Sequence, residues 1–293
     1  MTSAWSTFSS WFFSPFPRGR IAALRTILYL FIFVDVFLTT SWVLDHNGVP
    51  TELYQPLFFG RWLPLPEPTE FVVTFVLIGL LVSAAVGATG RWPRVVGTAV
   101  FLFYLEWMFI AMSYGKVDHD RISFLIALGV LPTVGAARWG DRTEDQASGW
   151  AIRFIQMGVV ATYFLSTFAK LRFGGWGWVN GATLMRAVLR RGTFIGDQLV
   201  EFPWILHISQ WLIVIFELLT PLMLLRNKLG YAFVGAAVLF HAITYSAISI
   251  IFLPQVMCLL AFLPLERVEP QRLLARFQRQ RDTKPAVSAS EAL

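Results

Sequence analysis

Runs of about twenty consecutive apolar residues recur along this chain, and they constrain its fold more than any motif does. A helix needs roughly 20 such residues to cross the hydrocarbon core of a bilayer. The sequence predicts spans at 21–43, 71–88, 95–113, 122–137, 154–171, 204–225, 231–248 and 250–263. The last two share one apolar stretch, 229–265. At 1.5 Å per residue, roughly 37 residues is too long for one tilted helix, so a turn is expected near Ser246, Ser249 and Pro254. Composition agrees, with 56% hydrophobic residues and only 14% charged, where soluble proteins carry about a quarter charged. A water-soluble enzyme, a disordered chain and a nucleic-acid reader are thereby excluded. The net charge of +6 is spread over loops and one tail rather than gathered on a face. A single cysteine, Cys258, leaves no internal disulfide, Cys-x-x-Cys centre or thiolate cluster.

Residues 1–20 carry Trp5, Trp11, Phe12 and Phe13 without an apolar signal core or small-residue cleavage site, and read as an interfacial arm. Lys and Arg accumulate on the cytoplasmic side of membranes. Arg18 and Arg20, Arg91 and Arg94, Arg138 and Arg142, Arg226 and Lys228, and a basic tail at 266–293 fall on one side if the chain crosses eight times. The expected fold is all-α: a polytopic transmembrane helical bundle of about eight spans in the cell membrane, with N- and C-termini cytoplasmic. Its membrane domain is 21–265, with an outer loop at 172–203. In that loop, 180–191 fits a short amphipathic helix with Leu184, Met185 and Val188 on one face, either flat on the outer leaflet or over a cavity. Leu273, Leu274 and Phe277 suggest a surface helix in the tail. No internal repeat supports an inverted-repeat transporter.

Ionisable groups inside a membrane are costly and mark functional sites by default. Arg25 and Glu217 fall in inner halves of their spans and are expected to pair. Arg25 and Asp35 lie about 15 Å apart along one helix and cannot. Asp35, Glu106, His241, His119 and Lys170 share an outer depth, where they are expected to converge on one polar cavity open to the outside. Taken singly, a membrane carboxylate serves more often as a helix–helix hydrogen-bond partner, and a span-end lysine snorkels to the headgroups. No phosphate-binding loop, nucleophile elbow or zinc-protease motif is present, and the four histidines are scattered.

The segment Tyr163-Phe-Leu-Ser-Thr-Phe-Ala-Lys-Leu171, followed by Trp178-Val-Asn-Gly181, resembles the signature of the horizontally transferred transmembrane domain. That is the membrane domain of the vitamin K-dependent gamma-carboxylase superfamily. Arg25 with Asp35, Asp118-His119 through Pro132, and Phe240-His241 keep the family's order. The resemblance implies a membrane enzyme acting on a quinol (menaquinone or vitamin K-like) or another lipid-soluble substrate. Lys170 would be its base, His119 and His241 would assist proton transfer, and Glu106 and Asp35 would orient or neutralise them. Trp178 and Tyr163 would bind the cofactor. A lysine serves as a base near neutral pH only where desolvation favours the amine. Asp118 replaces the family's Asn, Ala169-Lys170 its paired lysines, and Ser166-Thr167 its Ala-Gly. The family's large lumenal domain has no counterpart, so carboxylation of protein glutamate is not expected. The alternative is a non-catalytic membrane subunit that, besides membrane lipids, binds a protein partner in the membrane or at the outer face. No nucleic acid is expected among its partners.

Overall fold

Six helices long and apolar enough to cross a membrane dominate the computed structural model: Arg18–Thr39, Glu70–Ala88, Pro93–Met112, Gln146–Gly174, Pro203–Leu224 and Lys228–Ile248. The structure describes residues 4–268, apart from 59, 64 and 116. The sequence reading of a helical tail therefore falls outside the described residues. A short helix α1 (Ala4–Phe12) precedes helix α2 (Arg18–Val34), which runs on through a π-helical turn at Asp35–Thr39. Two-residue strands, Phe16–Pro17 and Glu144–Asp145, pair antiparallel and tie the arm to the sixth helix.

Local signals set the helix ends. Thr69 accepts a hydrogen bond from the Val72 amide ahead of helix α3 (Glu70–Ala88). Pro93 opens α4 (Pro93–Met112), where its missing N–H costs nothing. Asp145 caps α6 (Gln146–Gly174), roughly 43 Å long at 1.5 Å per residue. Helix α10 (Pro203–Leu219) opens with proline, and Asn227 caps α11 (Lys228–Ile248). The apolar stretch after α11 turns where expected. Ser249 takes a left-handed conformation (φ 54°), and Pro254 stands in the first turn of α12 (Leu253–Cys258).

Two shorter segments complete the bundle. Helix α5 (Ile122–Val130) continues into a 3-10 turn at Leu131–Thr133. At its start Arg121 meets Asp35 at 2.5 Å; at its end Arg25 Nη2 donates to the carbonyls of Leu131 (3.2 Å) and Val134 (2.8 Å). It therefore runs antiparallel to α2. Helix α12 and the 3-10 turn Leu259–Phe262 lie between α5 and α6: Gln255 accepts from Ser123 of α5 at 2.6 Å, and Gln156 of α6 donates to the Ala261 carbonyl at 3.0 Å.

The expected Arg25–Glu217 pair does not form. Arg25 instead caps the carbonyl end of the α5 segment, where the helix dipole favours a cation. Glu217 lies against α6, as described below.

Burial is uneven. The α2 span is 61% buried over its most apolar window, whereas α10 and α11 reach only 28% and 22%, so these two form a peripheral layer with their apolar outer faces exposed. Tyr29, Tyr104, Trp107 and Phe124 fill the main core. A second cluster, Val188 with Leu206 and Ile248, lies beneath the outer loop.

The base of the bundle is clasped. Arg20 donates to both carboxylate oxygens of Glu266, each at 2.8 Å. Burial favours the neutral form of Glu266, but the hydrogen bonds from Arg20 outweigh it and hold the carboxyl below its ordinary range. A β-carbon at Gly149 would overlap the Ser14 carbonyl. Gly149→Ala is therefore expected to destabilise the arm–α6 contact by about 1–3 kcal/mol. Gly48→Ala, which meets open space, is the control; equal melting temperatures for the two in detergent would refute this packing.

Candidate functional site

Helix α6 carries Tyr163, Ser166, Thr167 and Lys170 at helical spacing, so all four share one face. That face meets α10 at Glu217. Lys170 Nζ donates to Glu217 Oε1 (2.6 Å), Glu217 Oε2 (2.8 Å) and Ser166 Oγ (2.6 Å). An ammonium has three donors, and here each has an acceptor. Thr167 Oγ1 adds a 2.6 Å hydrogen bond to Glu217 Oε2. The Glu217 side chain is 3% exposed and that of Lys170 18%, so a buried carboxylate faces a cation that can still be reached.

The loop at 172–203 closes over this pair. Short helices α7 (Gly177–Asn180), α8 (Thr183–Arg191) and α9 (Phe194–Val200) follow α6. Gln210 of α10 donates to the carbonyls of Val179 (2.7 Å) and Gly181 (3.0 Å) and accepts from the Leu184 amide (2.8 Å). That anchor places the Trp178 ring 5.3 Å from Lys170 Nζ, a cation–π contact. The amphipathic helix expected at 180–191 is α8, with Val188 buried and Leu184 and Met185 packed beside it over α10 and α11.

Two turns inward along α6, Tyr163 shares a 2.6 Å hydrogen bond with His241 Nε2. Phe216 packs edge-on against Tyr163, beside Glu217 in the chain. His241 also meets the Phe252 ring at 5.2 Å, and His119 approaches the other side of that contact at 6.2 Å. His119 is exposed, and among the described residues Phe252 stands between it and His241.

The remaining residues lie elsewhere. Asp35 is fully buried between α2 and α4, held by Arg121 (2.5 Å), by the Tyr104 hydroxyl (2.8 Å) and by Thr39. Trp107 Nε1 donates to Thr40, whose hydroxyl in turn donates to the Asp35 carbonyl. Glu106 stands two residues beyond Tyr104, about 200° round the helix, and so faces away from Asp35. Its Oε1 is buried with no hydrogen-bond partner among the described residues. Burial, and then the Glu106 carboxylate, push the phenol of Tyr54, in the segment between α2 and α3, upward. The five groups expected to share one cavity thus divide. Lys170 joins Trp178, Tyr163 joins His241, and His119 borders the second pair, while Asp35 and Glu106 occupy separate surroundings. A common helical depth does not fix the direction in which each side chain points.

Several contributors went unrecognised in the sequence. Arg121 and Tyr104 carried no signal beyond an outer-side arginine that runs against the charge rule. Ser166 and Thr167 did carry one. They are where the chain departs from the Ala-Gly of the family it resembles, and both hydroxyls bond Glu217. No family model, no curated protein and no solved structure matches this chain.

Proposed function

We propose that this is a cell-membrane protein crossing the bilayer eight times, its basic loops and both termini cytoplasmic. In this reading the six long helices are joined by the α5 and α12 segments as two short crossings. Toward the opposite face, the C-terminal part of α6 meets Glu217, two residues before the end of α10, and there forms a site for a quinol or another ionisable, lipid-soluble molecule, with Lys170 handling its proton. One observation carries this reading: a lysine whose three donors meet Ser166 and Glu217, beside the Trp178 ring, with its side chain still 18% exposed. Lys170 passes one proton to Glu217 across their 2.6 Å contact, leaving an amine and a neutral acid. The amine then takes the hydroxyl proton of the bound quinol, and the resulting anion sits beside the regenerated ammonium. Trp178 offers an aromatic face to the ring, and Tyr163 with His241 offers a second proton-transfer pair deeper in the bundle. The resemblance to the gamma-carboxylase membrane domain points to the same lysine.

Mass spectrometry of the purified protein tests this. A co-purifying quinone is expected in the wild type and at least tenfold depleted in Lys170→Ala and in Trp178→Leu, the latter leaving the ion pair intact. Absence of any quinone from the wild type, or undiminished retention in both variants, overturns the proposal. A second reading, a non-catalytic subunit that binds a protein partner, is favoured by the exposed apolar faces of α10 and α11. A stoichiometric protein partner without a quinone would select it.

A further inference from the structure

At the opposite end of the bundle from Lys170, three arginines surround one phenylalanine. The guanidinium carbons of Arg226, Arg20 and Arg153 lie 4.5, 4.7 and 5.2 Å from the centre of the buried Phe16 ring. A cavity of about 240 Å³ opens beside that ring, lined by Arg20, Arg226, Arg267, Gln156, Tyr231 and Glu266 among others. Among the described residues the charges do not balance. Glu266 spends both carboxylate oxygens on Arg20. Among the described residues no carboxylate pairs with Arg153, Arg226 or Arg267. Arg153 is 2% exposed, its Nε has no hydrogen-bond partner among the described residues, and its Nη1 donates to the side-chain oxygen Oε1 of Gln156 at 3.1 Å.

Buried cations without a counter-charge are costly, and stacking on Phe16 and Trp11 offsets only part of that. An anion in the cavity would supply what the described residues lack. The volume lies below the roughly 300–1,000 Å³ of drug-sized sites, which suits a small anionic group rather than a whole organic ligand. The surroundings are the arginine-bearing loops at the end of the helices, the level of lipid headgroups, where basic pockets between spans take anionic heads. Guanidinium forks match phosphate oxygens in geometry.

We propose that the cavity beside Phe16 binds a phosphate group, held by Arg226 and Arg267 at its rim and by the field of Arg153 and Arg20 behind the ring. The phosphate belongs either to an anionic phospholipid headgroup or to a free phosphate ion. This site is independent of the Lys170 site, and either can fail without the other.

The full chain in non-ionic detergent is titrated with phosphatidylglycerol, with phosphatidylcholine and with inorganic phosphate, following the melting temperature and the bound mass by native mass spectrometry. Phosphatidylglycerol is expected to raise the melting temperature and remain bound, whereas phosphatidylcholine does neither. Arg226→Gln and Arg267→Gln, both exposed at the rim, are each expected to weaken that binding about tenfold, the loss of one charge-assisted hydrogen bond. Arg91→Gln, in another loop of the same face, leaves it unchanged. An equal shift with inorganic phosphate, lost in Arg226→Gln, identifies free phosphate as the source. No response to either anion, or an identical response from all three variants, overturns the proposal.

Discussion

Replacing Asp35 with alanine is expected to destabilise the protein by about 3–5 kcal/mol, the cost of leaving a buried charge without its partner. Against total stabilities of about 5–15 kcal/mol, such a change removes a large part of the folded population. The cause is local. Asp35 is fully buried and the Arg121 side chain is 6% exposed, so neither charge reaches water when the other is removed. Tyr104, Thr39 and Arg121 all direct donors to the Asp35 carboxylate; Thr39 keeps its bond to the backbone carbonyl of residue 35, but the Tyr104 hydroxyl loses its acceptor and the Arg121 cation its counter-charge. The double replacement Asp35→Leu with Arg121→Met removes both charges and is expected to cost less than Asp35→Ala alone. Denaturant titration in mixed micelles measures the difference. A double variant less stable than the single one would mean that Arg121 finds another acceptor, and the network would lose its central place.

Glu217→Ala is expected to cost about 3 kcal/mol, at the lower end of the range for broken buried pairs. The Lys170 side chain, at 18% exposure, retains some access to solvent or headgroups once its partner is gone. The loss spreads further than one bond, because Glu217 also accepts from Thr167 and Ser166 and fastens α10 to α6. A double-mutant cycle with Lys170→Met is expected to give a coupling energy of about 2 kcal/mol. A coupling near zero would show that the two side chains fold independently and would remove the geometric basis for a proton shared between them.

The contrast between these two pairs explains what could be read from the chain. Apolar run length located the long helices, and Ser249 with Pro254 marked the turn after α11, because those signals are local. Lys170 and Asp35 stood out because charge is rare in such runs. Glu217 stood out as well, but with Arg25 as its expected partner, because pairing depends on helix rotation and packing, which a depth estimate leaves free. Arg25 illustrates the limit. Its depth suited Glu217, yet a short helix ending beside it offered carbonyls instead. Arg121 escaped because it sits at the edge of an apolar run, where an arginine ordinarily meets water.

The clasp between Arg20 and Glu266 joins residues 246 positions apart, and that separation has a meaning in time. At roughly 5–20 residues per second on the ribosome, Glu266 is made about 12–50 s after Arg20. Until then Arg20 has the Phe16 ring beside it but not its carboxylate partner, so the clasp is among the last contacts the chain can make.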